Sequence, residues 1–92
     1  MTERFQVWRS KLRDTRAVNA IRAKLDHMTF GNFGDSKFVG QGVFEIRIHA
    51  GQGYRLYFVN RENRVILLLC GGNKSTQKKD IALAKQIAKE LT

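Results

Sequence analysis

The chain has no proline, one cysteine, two histidines and only eight acidic residues against seventeen lysines and arginines. Each scarcity narrows the reading. The single Cys70 rules out an intrachain disulfide, and its place in an apolar run marks it as a reduced, buried, structural thiol. One cysteine with His27 and His49, far apart in sequence, makes no zinc site, so neither metal nor cofactor is expected. No serine stands beside His49 in a pattern that suggests a nucleophilic triad. No apolar run approaches the ~18 residues of a membrane span. The N-terminal MTERF lacks the charged-then-apolar layout of a signal peptide. The expectation is a soluble, cytoplasmic protein with no membrane partner. Without proline, repeats or low-complexity tracts, nothing suggests a linker. Residues 1–92 read as a single domain, which would bury roughly 60–65% of the unfolded chain's surface.

What the chain has in excess is positive charge, +9 with a pI near 10.3. Such a field attracts nucleic acid or an acidic protein. The charge is uneven. Residues 1–30 and 61–92 each hold seven Lys/Arg against three Asp/Glu. The middle third holds only Lys37, Arg47 and Arg55 against Asp35 and Glu45. The ends make the general field, and the middle carries a few placed charges.

Glu45, Arg47 and Arg55 lie in VFEIRIHAGQGYRLY, residues 43–57. Phe44, Ile46 and Ile48 alternate with Glu45, Arg47 and His49; Tyr54, Leu56 and Phe58 alternate with Arg55 and Tyr57. Period-two alternation on both arms predicts an antiparallel pair with one oily face. The apolar sets share a face only if paired residue numbers sum to an even number. A three-residue loop, Ala50–Gln52, gives that register. It puts Arg47 opposite Arg55 and Glu45 opposite Tyr57. Gly51 and Gly53 supply the positive φ such a loop needs. Facing arginines repel, and either a bound anion or Glu45 would compensate.

Around this pair the chain reads in order. Phe5, Trp8 and Leu12 fall on one face of a first helix. Asp14 or Thr15 caps a second, whose stripe is Val18, Ile21, Leu25 and Met28. Gly31 ends it in the left-handed region. GNFGDS, residues 31–36, is turn chemistry and carries no phosphate-loop pattern. Residues 36–39 form a short extended piece that brings Lys37 beside the sheet, and Gly40–Gly42 turns into the hairpin. NREN, residues 60–63, is a polar turn. RVILLLC, residues 64–70, does not alternate, so it is expected to be an interior strand covered on both faces. Ser75 or Thr76 caps a last helix with the stripe Ile81, Ala84, Ile87 or Ala88, and Leu91. The fold class is α+β: a two-helix unit on a small antiparallel sheet, then a C-terminal helix. Helices on the oily face would leave the face with Glu45, Arg47 and Arg55 open.

Arginines and lysines around one carboxylate suit a phosphodiester. Arginine binds phosphate bidentately and can stabilise charge growing on a pentavalent phosphorus. A carboxylate could take the proton of a ribose 2′-hydroxyl, which restricts such cleavage to RNA. Arginine is a poor acid for the leaving 5′-oxygen; Lys74, Lys37 and His49 remain as candidates.

GNFGDSKFVGQGVFEIRIHAGQGYRLYFV and LLLCGGNKSTQKKDIALA resemble the small RelE/ParE-type toxins of bacterial type II toxin–antitoxin modules. The similarity is greatest to the HigB-related branch of addiction-module killer proteins. It covers nearly the whole chain, and GGNKSTQKKDI is its most specific segment. The resemblance implies a RelE-like fold, ribosome-dependent mRNA endonuclease activity, and a cognate antitoxin, acidic or of helix-turn-helix type. It assigns Glu45 as general base and Arg55 as the contact to the scissile phosphate, with Arg47 and Lys74 at commonly basic positions. Lys37, His49, Tyr57 and Gln77 complete the set as substrate-binding residues. The chain departs from several ribosome-dependent members in having no His or Tyr after Tyr57. Two other activities fit the same fold: a ParE-like inhibitor of DNA gyrase, and a basic RNA-binding domain without catalysis. The Glu45, Arg47, Arg55 and Lys74 set favours the nuclease.

Overall fold

The computed structural model describes residues 1–61 and 65–91. The order is α1 (Glu3–Ser10), α2 (Thr15–Thr29), β1 (Ser36–Gly40), β2 (Val43–Arg47), β3 (Arg55–Arg61), β4 (Val65–Gly72) and α3 (Gln77–Glu90). One 3-10 turn, Lys74–Thr76, leads into α3. The strands form an antiparallel meander in the order β1-β2-β3-β4. The layout is the α+β arrangement expected from the sequence.

The helices begin where side chains can satisfy their free N–H groups. Thr2 caps α1, and its hydroxyl also donates to the Leu69 carbonyl at 2.6 Å, pinning the N-terminus to β4. Asp14 caps α2 by accepting from the Arg16 and Ala17 amides. At the third start the N-cap of α3 is Thr76, as expected, without a side-chain cap hydrogen bond, and the 3-10 turn before it is capped by Asn73. Its side chain accepts from the amides of Ser75 and Thr76, and Thr76 Oγ1 accepts from the Asn73 amide. Gly31 takes φ +80° after α2, as a helix end of this kind requires.

The hairpin register is the one the alternation demands: Glu45 pairs with Tyr57, Ile46 with Leu56, and Arg47 with Arg55. The loop is longer than three residues. The ladder stops at Arg47/Arg55, and residues 48–54 connect the strands, with the Ile48 amide donating to the Tyr54 carbonyl at 2.8 Å. Asn60 and Arg61, expected in a turn, belong to β3; residues 62–63 of that expected turn lie outside the described residues.

Two apolar clusters lie on opposite faces of the sheet. Phe5, Ala17, Ile21 and Met28 from α1 and α2 pack on Ile46, Ile48, Leu56, Phe58 and Leu68. Ala84 and Ala88 of α3 pack on Val43, Tyr57, Val59, Leu69 and Cys70. This overturns the expectation of an open face. α3 crosses to the side opposite α1 and α2, and covers the face that carries Glu45 and Arg55. β4 is likewise covered on both faces as expected, yet it is an edge strand and not an interior one. A register shift between Tyr57 and Phe58 leaves Leu69 without a strand partner and turns both Leu69 and Cys70 toward α3. Leu91, placed on the α3 stripe by its spacing, is 42% exposed because α3 ends before it.

Candidate functional site

Arg47 and Arg55 face each other at the end of the β2–β3 ladder, and the structure resolves their repulsion by separating their environments. Arg47 points to solvent, whereas Arg55 is only 7% exposed. Arg55 Nη1 donates to the Gly53 carbonyl at 2.7 Å, and its Nε lies 3.6 Å from Glu45 Oε2. That Nε has no hydrogen-bond partner.

Glu45 is 1% exposed. Its Oε2 accepts from the Tyr57 hydroxyl and from Gln77 Nε2, each at 2.9 Å. Tyr57 is the direct cross-strand partner, and Gln77 comes from the first residue of α3, so the helix closes over the carboxylate. Tyr57 is fully buried, and its pKa is held far above the usual tyrosine range. Burial is the main cause; the hydrogen bond to Glu45 and its negative charge add to it. The phenol therefore stays protonated and remains a donor. A second buried carboxylate, Asp80, sits against Gly72 and accepts from the Thr76 hydroxyl. A side chain at position 72 would collide with it. The Cys70 thiol points at the Asp80 carbonyl, and burial, followed by the Asp80 charge, pushes its pKa up to about 12.

In front of this buried cluster lies a groove of about 480 Å³. Arg16, Arg47, His49 and Arg55 line it with Gly51, Gly53 and Tyr54. His49 is exposed, and its Nε2 lies 3.2 Å from Asp35 Oδ2. The groove forms because residues 48–54 fold against the start of α2. Gly51 has φ +61°, and a Cβ there would meet the Asp14 carboxylate, so both the backbone angle and the close approach call for glycine.

Of the sequence-predicted residues, Arg47, His49 and Arg55 come together in the groove. Lys74 is exposed beside it: its amide donates to the Gln52 carbonyl, and its Cβ stands against Gly53. Lys37 is exposed on β1, opposite Glu45 in register, and is not among the groove residues. Glu45, Tyr57 and Gln77 form the buried layer behind Arg55. Arg16 was not foreseen. Its sequence context marks only a solvated position in the first turn of α2, and tertiary contact alone brings it to the hairpin loop. Asp35 was counted among the central charges and in turn chemistry, without a partner assigned. Among the described residues no three His, Cys, Asp or Glu side chains converge as metal ligands, and no helix is long and apolar enough to cross a membrane.

No solved structure matches the chain significantly. An uncharacterized protein of Haemophilus influenzae is 53% identical over 87 residues, which covers 95% of this chain and 88% of that protein. The family model described as "Phage derived protein Gp49-like (DUF891)" matches residues 11–90, a span that holds every residue of the groove and of the buried layer behind it. The chain belongs to this Gp49-like family of phage-derived proteins.

Proposed function

We propose that this Gp49-like protein is the toxin of a type II toxin–antitoxin module and a ribosome-dependent mRNA endonuclease of the RelE/ParE kind, in its HigB-related branch. The observation that carries the reading is the groove. Arg16, Arg47 and Arg55 line it together with His49. Arginines in that arrangement bind a phosphodiester and lower the energy of the extra charge that develops as a ribose 2′-oxygen attacks it.

Burial changes the role assigned to Glu45. A general base must come within hydrogen-bond reach of the proton it takes. Glu45 is covered by Gln77 and Tyr57 and faces Arg55. We assign it to positioning: it holds Arg55 with one edge of the guanidinium toward the groove. Lys74 adds charge at the margin. A +9 surface suits an antitoxin segment rich in acidic residues, which would associate quickly through the long-range field.

The test adds the purified protein to translating ribosomes and maps mRNA 5′ ends, with a gyrase supercoiling assay in parallel. New 5′ ends inside codons, lost in Arg47→Ala, are expected. Arg47 is the informative position because its side chain is exposed, whereas Arg55→Ala would also strand Glu45. Equal cleavage of naked RNA would remove the ribosome from the account. Intact mRNA with blocked supercoiling would replace the nuclease with a gyrase inhibitor.

A further inference from the structure

We infer that His49, oriented by Asp35, is the general acid that protonates the leaving 5′-oxygen; this rests on the nuclease reading above. An exposed His–Asp pair adds little stability on its own, so its placement needs another reason. His49 lines the same groove as the two facing arginines. Its partner is fixed by the sheet: the Asp35 carbonyl accepts from the Arg47 amide at 3.4 Å, which continues the β1–β2 ladder by one residue. The turn before it is also tied, with Asn32 Oδ1 accepting from the Gly34 amide at 3.1 Å. Asp35 takes His49 Nε2 and leaves Nδ1 for a substrate oxygen.

The charged groups around the groove and its loop come from every neighbouring element. Asp35 stands before β1, Arg47 is on β2 and Arg55 on β3, while Arg16 and the Asp14 cap belong to α2. The arginines carry no transferable proton at working pH. Lys37 and Lys74, the other candidates for the acid, lie outside the groove lining. Of the side chains lining the groove, His49 is the imidazole, a group suited to proton transfer.

In the reaction, the ribose 2′-oxygen forms a bond to phosphorus and the bond from phosphorus to O5′ breaks. The 2′-hydroxyl proton passes to a solvent water. The His49 imidazolium gives its Nδ1 proton to O5′, and the neutral ring, still bonded to Asp35 through Nε2, regains a proton from solvent. The products are a cyclic 2′,3′-phosphate and a 5′-hydroxyl.

The experiment uses ribosomal complexes programmed with a short mRNA carrying either oxygen or sulfur at the bridging 5′ position of the target linkage. A thiolate leaves without help from an acid. On the oxygen substrate His49→Ala is expected to lose ~100-fold or more in rate. On the sulfur substrate His49→Ala equals wild type. Asp35→Asn falls between the two on oxygen and matches wild type on sulfur. Both positions are exposed, so the variants keep the core. An equal loss on both substrates in His49→Ala overturns the acid role and leaves a binding residue. Asp35→Asn matching wild type on both removes Asp35. If wild type cleaves neither substrate, the nuclease reading itself fails, and this assignment with it.

Discussion

Replacing Glu45 separates a buried anchor from an exposed catalytic base. In Glu45→Ala the Arg55 guanidinium, 7% exposed, loses the carboxylate paired with it. Leaving one partner of a buried ion pair unmatched costs about 3–5 kcal/mol. The Tyr57 hydroxyl and Gln77 lose their acceptor as well, at about 1–3 kcal/mol for a buried donor left unmade. The two costs overlap, so about 3 kcal/mol is the floor. A domain of this length has roughly 5–14 kcal/mol in all. The loss should lower the melting temperature by roughly 12–24 °C and move the urea midpoint to match. Urea titration followed by far-UV circular dichroism and by the fluorescence of Trp8, which packs on Phe5 and Tyr54, gives the number. Removing both partners, as in Glu45→Leu with Arg55→Met, should recover much of it, because no charge is then stranded. A Glu45→Ala protein within ~0.5 kcal/mol of wild type would behave as a surface variant and would refute the buried anchor.

Other consequences follow from the same packing. Arg47→Ala should make the salt dependence of binding to a labelled single-stranded RNA shallower by about 0.7 in log–log slope; an unchanged slope in fluorescence anisotropy would take Arg47 off the phosphate. Gly71→Ala should destabilise by about 1–3 kcal/mol, because its Cβ would enter the Trp8 ring; a urea melt within error of wild type contradicts that contact. The folded Cys70 thiol titrates at about 12 and an unfolded one near 8.5. Between those values the unfolded state releases a proton that the native state keeps, so stability falls as pH rises from about 8.5. Urea midpoints measured from neutral pH to about pH 10.5 should therefore decline more steeply in wild type than in Cys70→Ala. Parallel slopes would place the thiol in water.

Much of this was legible because strand alternation is a parity constraint. Once Phe44, Ile46 and Ile48 had to share a face with Tyr54, Leu56 and Phe58, paired residue numbers had to sum to an even number, and a short loop then put Arg47 opposite Arg55 and Glu45 opposite Tyr57. The helical stripes of α1 and α2 followed in the same way from their period, through Phe5, Ile21 and Met28. The side of the sheet taken by α3 was not legible, since an amphipathic helix states that it has an apolar face but not which surface will meet it. Two signals pointed there. RVILLLC was apolar on both faces, and the face judged polar was so only at one end, where Glu45, Arg47 and Arg55 lie. Its other end holds Val43 and Val59, and these needed a cover.

That division describes the protein. Sequence alone determined the pairing of the facing arginines, the surplus of positive charge and the elements that fold, because all three rest on local period and composition. Tertiary structure decided that Glu45 is buried and Arg47 exposed, since Gln77 arrives on α3 from 32 residues away. It also decided that Arg16 joins the groove and that Asp35 meets His49, because only the packing of α2 and β1 against the hairpin brings those residues there.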